Sequence, residues 1–244
     1  MSAILPSIKI DNDETLSNFF MPHQVHWIQA EDAIHASGKQ VLALAEKSIR
    51  IGWTYADAFK NVRKRLRFKE RDYLFATKDY NSALEYIELC KKVAELFNYA
   101  GSMLSKGIED IKIPRLNDKG RPTCFTDDFK VGVIKFDNGS RIRAFSSNPQ
   151  AMSVFEGDVG LDEFAKHPSA HALWETAQGR VTLGFDMGVW SAHDGEDTLF
   201  NEFAQAARAG AGPWNLYYRV TLADAIEHGL VDVINRARGT KIQY

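Results

Sequence analysis

The sequence predicts an α/β fold in which a mostly parallel sheet is flanked by helices. Two short apolar runs, QVLALAE (40–46) and DYLFAT (72–77), have the length and composition of strands buried on both faces. Each is followed by a segment with apolar residues at helical spacing. Alternating strands and helices of this kind are typical of parallel sheets with right-handed crossovers. With 244 residues, of which 45% are hydrophobic, the chain is long enough to bury one large core.

The first predicted helix lies upstream of these strands and begins at Pro22. Proline is favoured at the first helical position because it has no N–H to satisfy and its φ is already helical. Trp27, Ala30 and Ile34 then recur at helical spacing, and Gly38 provides the stop. We therefore expect a helix between Pro22 and Gly38, directly before the first strand.

Two amphipathic helices are predicted next. In the first, Phe59, Val62 and Leu66 define an apolar face. A basic stripe on the opposite face comprises Lys60, Arg63, Lys64, Arg67 and Arg71. The second helix ends at Gly101. Its apolar face comprises Ala83, Ile87, Cys90, Ala94 and Phe97.

The second half of the chain contains shorter signals. Residues 102–130 are rich in turn formers and have little periodicity, which predicts an exposed excursion from the core. The apolar segments 131–136 and 141–146 flank an Asp-Asn-Gly turn, which predicts a hairpin. Further strands are expected in GDVGLDEFA (157–165) and in VTLGFDMGVWSA (181–192), the latter with one or two.

The composition excludes several protein classes. The formal net charge is -2 and the pI about 6.4, so any contact with nucleic acid has to be local. No stretch approaches the roughly 20 apolar residues that span a bilayer, and the N-terminus lacks the features of a secretory signal. Cys90 and Cys124 are isolated, which indicates neither a disulfide framework nor a thiolate zinc site. We therefore expect a soluble, cytosolic protein with no membrane partner.

The segment KSIRIGWT (47–54) joins the first strand to its helix, the position of a phosphate-binding loop. In such loops, unpaired backbone amides and the helix dipole face an anion. The usual pattern, G-x-x-x-x-G-K-[ST], places its lysine on the β and γ phosphates and its hydroxyl on magnesium. Gly52 and Thr54 fit this pattern, whereas Lys47 replaces the first glycine and Trp53 replaces the lysine.

An indole cannot neutralise phosphate, so the cation of such a loop has to be Lys47 or Arg50, reaching back across the loop. A strand-to-helix turn without a ligand gives the same local pattern. The apolar strand end VGLDEFA provides further support, because P-loop ATPases use an aspartate here for the magnesium shell and a glutamate to polarise water. Asp162 and Glu163 occupy these two positions.

Together, these segments resemble the ATPase motor of phage large terminases, especially those of Mu-type and lambda-type phages. In that family the loop lysine is often moved to the front, as Lys47 is here. The segment MPHQVHWIQ (21–29) is similar to the family's Pro-x-Gln element near the adenine, which points to Gln24. The resemblance also includes residues 72–90, 145–165 and 189–200, and it extends from about Pro22 to Arg238.

The resemblance implies a P-loop NTPase fold of the ASCE type and an ATP-driven motor that moves double-stranded DNA into a procapsid. The implied partners are DNA, the portal protein, a small terminase subunit and further copies in a ring, in the cytoplasm of a bacterial host. We expect an N-terminal extension (1–21), an ATPase core (22–213) and a peripheral C-terminal extension (214–244). The family's C-terminal nuclease domain is expected to be absent, as in a fragment or a naturally split subunit.

The implied site binds ATP and Mg²⁺. Its catalytic residues are Glu163, Lys47 and Arg50, and its metal-binding residues are Thr54 and Asp162. The nucleotide contacts are Gln24, Lys47, Ser48, Ile49, Arg50, Ile51, Gly52, Trp53, Thr54, Ser191 and His193. In this set, Ser191 and His193 lie in VWSAHDGEDTLF, which resembles the segment that senses the γ-phosphate.

Two alternatives come from other functional classes. A metal-dependent nuclease would use Asp186, Asp194, Glu196 and Asp197, although three of these acids crowd one turn. A non-hydrolysing scaffold would keep the fold for DNA or capsid binding. The basic stripe remains open between a DNA or neighbouring-subunit contact and a solvated helix face. Candidate arginine fingers for a neighbouring subunit are Arg141, Arg143 and Arg180.

Overall fold

The computed structural model describes residues 16–97, 104–117 and 121–243, in which helices cover both faces of an eight-stranded sheet. The helices are α1 (Pro22–Ala36), α2 (Trp53–Arg67), α3 (Tyr80–Leu96), α4 (Pro149–Ser153), α5 (Ala170–Thr182), α6 (Leu199–Arg208), α7 (Leu222–Glu227) and α8 (Leu230–Arg238). The strands are β1 (Leu42–Lys47), β2 (Tyr73–Ala76), β3 (Leu104–Leu116), β4 (Pro122–Phe136), β5 (Arg141–Phe145), β6 (Asp158–Asp162), β7 (Met187–Ser191) and β8 (Leu216–Val220).

The strand order is β3-β4-β5-β2-β6-β7-β1-β8. All pairs from β5 to β8 are parallel, and the two pairs that involve β4 are antiparallel. The predicted α/β class with a mostly parallel sheet is therefore confirmed. Since β7 alone separates β1 from β6, the loop after β1 and the acids at the end of β6 lie at the same edge of the sheet.

The core has two layers because side chains alternate across each strand. On one face, Ala43 and Ala45 of β1 pack in a cluster with apolar residues of α1, α2 and α3. On the other face, Leu44 packs in a cluster with residues of α5 and α6, including Leu173 and Phe200. The two faces explain why the predicted strands are apolar throughout.

The first half of the chain folds as predicted. Helix α1 has Pro22 in its first turn, and α2 and α3 follow β1 and β2 in the expected order. Within α3, Ala83, Ile87 and Cys90 are buried as the pattern predicts. The predicted stop at Gly101 lies outside the described residues, and so does the side chain of Cys124.

The segment 102–130 is more regular than the sequence indicates. Its described part contains β3 and most of β4, which pair as a long antiparallel hairpin from Leu104↔Phe136 to Leu116↔Pro122. The expectation of exposure holds for most of the β3 side chains, including Ile108 at 54%. Because the hairpin satisfies its backbone largely by pairing with itself, its side chains need no apolar pattern of their own.

The segment VTLGFDMGVWSA contains one strand, β7, within the one or two predicted, because its first two residues complete α5. The basic stripe is not an open face, since Lys60, Arg63 and Lys64 are largely buried. Their ion pairs are Lys60 with Glu31 at 2.6 Å, Arg63 with Asp32 at 2.7 Å and Lys64 with Asp158 at 2.9 Å.

The C-terminal segment joins the same sheet, because β8 pairs with β1 from Ala43↔Leu216 to Lys47↔Val220. Helices α7 and α8 follow it, and Ala225 and Leu230 contribute to the cluster that contains α1. None of the described helices is long and apolar enough to cross a bilayer.

Candidate nucleotide-binding site

The loop 47–54 bends sharply between β1 and α2. Two of its residues have positive φ, Arg50 at 60° and Gly52 at 76°. Its start is fixed to the neighbouring strand, because the Ser48 amide donates to the Val220 carbonyl at 3.1 Å. The side chains of Ile49 and Arg50 are exposed, and that of Ile51 is buried. The loop therefore turns its third and fourth side chains, those of Ile49 and Arg50, outward at the carboxyl edge of the sheet.

Helix α1 holds the far end of this loop. The Gln24 side-chain amide donates to the Gly52 carbonyl at 2.7 Å, and its oxygen accepts from the Met21 amide at 2.9 Å. The neighbouring His23 donates through Nε2 to the Ile51 carbonyl at 2.9 Å. Gln24, expected beside an adenine, is thus buried with both ends of its amide on backbone.

Trp53 lies in the core, although it occupies the lysine position of the usual pattern. Its exposed fraction is 2%, and its ring centroid is 4.7 Å from that of Trp27 and 5.9 Å from that of Tyr218. The indole therefore anchors the first turn of α2 instead of facing a ligand. Any contact of Trp53 with a phosphate is limited to its backbone.

Three of the predicted residues meet where β1 and β6 end. The Lys47 amine lies 2.7 Å from a Glu163 carboxylate oxygen and 3.7 Å from Asp162 Oδ1. Glu163 has a positive φ of 52°, and its amide donates to Asp162 Oδ1 at 2.9 Å. A non-glycine residue in this conformation is strained, and such strain is concentrated at functional sites. The loop lysine and the acidic pair are therefore adjacent, as the sequence predicts.

The two acids differ in their proton affinity. Burial raises the pKa of Asp162, the Lys47 charge lowers it, and the Glu163 charge raises it again, with a result of about 6. Burial also raises the pKa of Glu163, but the Lys47 charge and a hydrogen bond from Lys166 outweigh it and leave this pKa below its usual value. At neutral pH Glu163 is fully ionised, whereas Asp162 is close to its titration range.

These residues border a pocket of about 430 Å³. Asp162, Glu163 and Lys166 line one part of it, and Arg50 and Thr54 line another. The other lining residues are Ile49, Phe75, Thr77, Lys78, Ser82, Glu85, Tyr86 and Leu89. The pocket thus combines hydroxyl and carboxylate oxygens, which suit Mg²⁺, with amines and a guanidinium, which suit phosphate.

Ser191 and His193 lie elsewhere. The Ser191 hydroxyl accepts from the Ala165 amide at 3.2 Å, and His193 Nε2 lies 2.6 Å from Glu46 Oε2. Glu46 precedes Lys47 on β1, so its side chain is on the opposite face of the sheet. There it also binds Arg208 Nε at 2.9 Å. The structure therefore does not bring Ser191 and His193 to the pocket.

Several residues of this neighbourhood have no signal in the sequence. Lys166 donates to Glu163 Oε2 at 2.7 Å, and only its i,i+3 spacing to Glu163 hints at the contact. Asp57 of α2 is fully buried and accepts from the hydroxyls of Tyr73 at 3.0 Å and Tyr86 at 2.7 Å. Its charge raises the pKa of Asp162, which indicates that it lies near the acidic pair.

A second, larger cavity of about 600 Å³ lies at the opposite edge of the sheet. It is lined by charged residues that already pair with one another, such as Lys64 with Asp158 and His35 with Asp186 at 3.1 Å. Because these charges neutralise one another, the cavity offers no excess of either sign to a ligand.

The acids of the nuclease alternative do not converge. Asp186 lies directly before β7, whereas Asp194, Glu196 and Asp197 follow the end of this strand. Asp186 is bound by Lys64 and His35, and the other three are exposed. Among the described residues, no three His, Cys, Asp or Glu side chains are grouped to hold a metal. This arrangement contradicts a two-metal nuclease site built from these four acids.

Sequence comparison identifies two relatives, one from phage Mu and one from a Mu-like prophage. No protein-family model matches the chain. It is 32% identical over 219 residues to the "Probable terminase, large subunit gp28" of Escherichia phage Mu, which covers 86% of this chain and 36% of that protein. It is 31% identical over 192 residues to the "Mu-like prophage FluMu protein gp28" of Haemophilus influenzae, with 78% and 35% covered. The chain thus spans little more than a third of these curated relatives.

Structure comparison identifies the same kind of protein. A large terminase from a thermophilic bacteriophage, in complex with ADP, aligns with a TM-score of 0.55 and 16% identity, over 89% of this chain and half of that one. The large terminase ATPase domain of Thermus phage P74-26 aligns with a TM-score of 0.51 and 16% identity, over 90% of this chain and 94% of that one. At this level of identity the likeness establishes the fold.

Proposed function

Since this chain belongs to the family of phage large terminase subunits and has the P-loop fold of their ATPase domains, we propose that it hydrolyses ATP to drive DNA packaging. The observation that carries the proposal is the position of the Lys47 amine, 2.7 Å from Glu163 and 3.7 Å from Asp162 at the end of a loop-bearing strand. The ADP complex of the large terminase from a thermophilic bacteriophage supports a nucleotide as the ligand.

In this proposal, the loop and the acidic pair at the pocket have separate chemical roles. Lys47 and Arg50 neutralise the β and γ phosphates, and the backbone amides of residues 49–54 hold phosphate oxygens at the start of α2, since the Ser48 amide is bound to the Val220 carbonyl. Thr54 and Asp162 provide oxygen ligands for Mg²⁺, which neutralises phosphate charge when bound. Glu163 accepts a hydrogen bond from the attacking water and directs it in line with the γ-phosphate.

Gln24 has a different role from the one expected. Because its amide is bound to the Gly52 carbonyl and the Met21 amide, we assign it to the shape of the loop. We propose that the surface of α1 next to Gln24 contacts the adenine. We propose no direct phosphate contact for Ser191 and His193. His193 instead shares the Glu46 carboxylate of β1 with Arg208 of α6, and the Ser191 hydroxyl accepts from the Ala165 amide.

The kinship with the phage Mu large subunit supports a proposal for the wider assembly. We propose that the active form is a homo-oligomeric ring in the cytoplasm of a bacterial host. Its partners are double-stranded DNA, the portal protein of a procapsid and the small terminase subunit. The domain limits 1–21, 22–213 and 214–244 remain predictions, and β8 of the last segment belongs to the central sheet.

The proposal is tested by phosphate release from ATP with Mg²⁺. Glu163→Gln is expected to reduce kcat by at least about 100-fold and to retain nucleotide binding, because it removes the group that directs the water. Lys47→Ala is expected to lose both hydrolysis and most nucleotide affinity. Glu196→Gln is the matched control, since Glu196 is an exposed acid outside the pocket.

Three results would contradict this proposal. Unchanged hydrolysis in Glu163→Gln would remove this residue from the chemistry. Mg²⁺-dependent cutting of DNA without ATP, lost in Glu196→Gln, would instead favour the nuclease. If the wild-type protein binds nucleotide but never releases phosphate at any protein concentration, the scaffold alternative is correct.

A further inference from the structure

Both oxygens of the Glu163 carboxylate are bound by lysines. The Lys47 amine lies 2.7 Å from Oε1, and the Lys166 amine lies 2.7 Å from Oε2. Lys47 comes from β1, which β7 separates from β6, whereas Lys166 follows Glu163 by three residues. The glutamate is therefore held between one cation from the loop and one from its own turn.

The contact with Lys166 is built into the backbone. Glu163 adopts a left-handed conformation and is followed by a single 3₁₀ turn, Phe164–Lys166. The Lys166 amide donates to the Glu163 carbonyl at 2.8 Å, and the His167 side chain donates to the Asp162 carbonyl at 2.9 Å. These bonds close the turn and bring the Lys166 side chain back over Glu163.

The two lysines differ in what a nucleotide does to them. Lys47 is 7% exposed and belongs to the phosphate loop, so phosphate oxygens compete with Glu163 for its amine. Lys166 lines the pocket with a side chain that is 33% exposed, and its bond to Glu163 does not involve the loop. When Lys47 turns to the phosphates, Oε1 loses its partner and Oε2 keeps its own.

This exchange matters because Asp162 and the incoming phosphates place negative charge beside Glu163. Without a cation, its carboxylate would be repelled by Asp162 and by the incoming phosphates, and its side chain would be free to rotate away from the water. A misplacement of about 1 Å in a catalytic group can reduce a rate by about 100-fold. A fixed cation on Oε2 leaves Oε1 free to accept from water while the carboxylate keeps its orientation.

We propose that Lys166 is a positioning residue that holds Glu163 through Oε2, so that departure of Lys47 to the nucleotide exposes Oε1 to the attacking water. This inference rests on the function proposed above. It makes nucleotide arrival itself the event that releases the glutamate, because the same amine serves first the carboxylate and then the phosphates.

The test compares Lys166→Met, Lys166→Arg and a control in one assay of phosphate release. Lys91→Met is the matched control, because Lys91 pairs with Glu95 at 3.9 Å on the exposed surface of α3. Lys166→Met is expected to reduce kcat by about 10- to 100-fold with KM and ATP affinity within about twofold of the wild type. Lys166→Arg is expected to restore most of the rate, and Lys91→Met to equal the wild type.

Other outcomes overturn the inference. If Lys166→Met loses ATP affinity by tenfold or more at an unchanged kcat, Lys166 is a phosphate ligand and does not position Glu163. If kcat is unchanged, or if Lys166→Arg is as slow as Lys166→Met, the contact has no role in orientation. The proposed function is judged separately, because wild-type hydrolysis and its loss in Glu163→Gln do not depend on Lys166.

Discussion

Asp162 is a buried carboxyl group whose surroundings oppose its charge. Burial is the largest cause, and with the charges of Glu163 and Asp57 it outweighs Lys47 and raises the pKa from 3.8 to about 6. A carboxyl group whose pKa is higher in the folded than in the unfolded protein stabilises the fold at pH values below its unfolded-state pKa. This stability is lost as the pH rises through the folded-state pKa. The loss therefore falls between about pH 4 and pH 6. At about 1.4 kcal/mol per pH unit, the ionised form costs about 3 kcal/mol.

Asp162→Asn is expected to stabilise the nucleotide-free protein. The amide carries no charge, so the free energy of unfolding should rise by up to about 3 kcal/mol at pH 8 and by less at pH 5. Urea denaturation at the two pH values measures the difference. Under the proposed function the variant also loses a Mg²⁺ ligand, so it should be more stable and inactive, as expected where a site is maintained against stability.

Asp158 is the matched control, because it is as buried as Asp162 but well paired. It accepts from Arg65 at 2.5 Å and from Arg71 at 2.6 Å, and these cations and Lys64 outweigh burial and hold its pKa well below 3.8. Asp158→Asn should therefore lower the unfolding free energy at pH 8 by about 3 kcal/mol. If both variants shift stability in the same direction, the electrostatic account of Asp162 is wrong.

At the scale of elements, the junction of the loop, α1 and α2 is fixed by Gly52. Its φ of 76° suits glycine, and a Cβ here would lie 2.7 Å from Gln24 Nε2 and 3.3 Å from the end of Met21. Gly38 provides a comparison, because its φ is 74° and a Cβ would meet nothing within 4 Å. A residue with a Cβ would therefore be strained at both positions, and only at Gly52 would it also collide with side chains at the start of α1.

Gly38→Ala is expected to destabilise the protein by about 1 kcal/mol through backbone strain alone. Gly52→Ala should cost about 1 to 3 kcal/mol more, because Gln24 has to leave the loop to make room. Denaturant unfolding of both variants measures the difference, and Gly52→Ala should also weaken nucleotide binding. Equal losses of stability would mean that Gln24 yields without consequence and that α1 does not hold the loop.

The basic face of α2 shows what spacing cannot predict at this scale. Periodicity placed Lys60, Arg63 and Lys64 on one stripe, but it could not show that α1 and the starts of β6 and β7 present acids to them. Asp32 is 31 residues away from Arg63 in the sequence, and Asp186 is 122 residues away from Lys64. A charged helix face indicates exposure to solvent only where no other element packs against that face.

The β3–β4 hairpin was missed for a related reason. An exposed two-stranded ribbon satisfies most of its backbone by its own pairing, so its residues can be charged or glycine, and the ladder continues beyond Pro114 with a shift of register. Beyond the residues of β4 that pair with β5, the side chains of Ile111, Ile113 and Phe129 pack against the core. Most of the other described β3 side chains are exposed. The sequence therefore predicted its exposure but not its strands.

At the scale of the molecule, the order of elements and the place of the site were predictable. Strands buried on both faces leave uninterrupted apolar runs, and parallel strands bring their carboxyl ends to one edge. Proximity of Lys47 to Glu163, 116 residues apart, follows from that rule. The contact of Lys166 with Glu163 and the burial of Trp53 in the core do not follow from that rule. Both depend on side-chain packing that only the folded chain determines.

The same geometry restricts the candidate arginine fingers. Arg143 is 2% exposed and binds Glu109 at 3.1 Å and Asp72, and Arg180 donates to the carbonyls of Met152 at 3.1 Å and Phe155 at 2.7 Å. Arg141 alone of the three has an exposed side chain. It begins β5, whereas the pocket lies at the carboxyl ends of the strands, so Arg141 faces away from the pocket of its own subunit.

A head-to-tail ring brings one edge of a subunit against the opposite edge of the next, and such heterologous contacts can close into a ring. If the proposed motor uses Arg141 in this way, Arg141→Ala and Glu163→Gln should each lose hydrolysis by about 100-fold or more. A mixture of the two should regain activity, because some interfaces then join an intact Glu163 to an intact Arg141. Arg115→Ala, which removes an exposed arginine of β3, should keep wild-type activity alone. A mixture no more active than its components would exclude Arg141 as the residue that completes a neighbouring site.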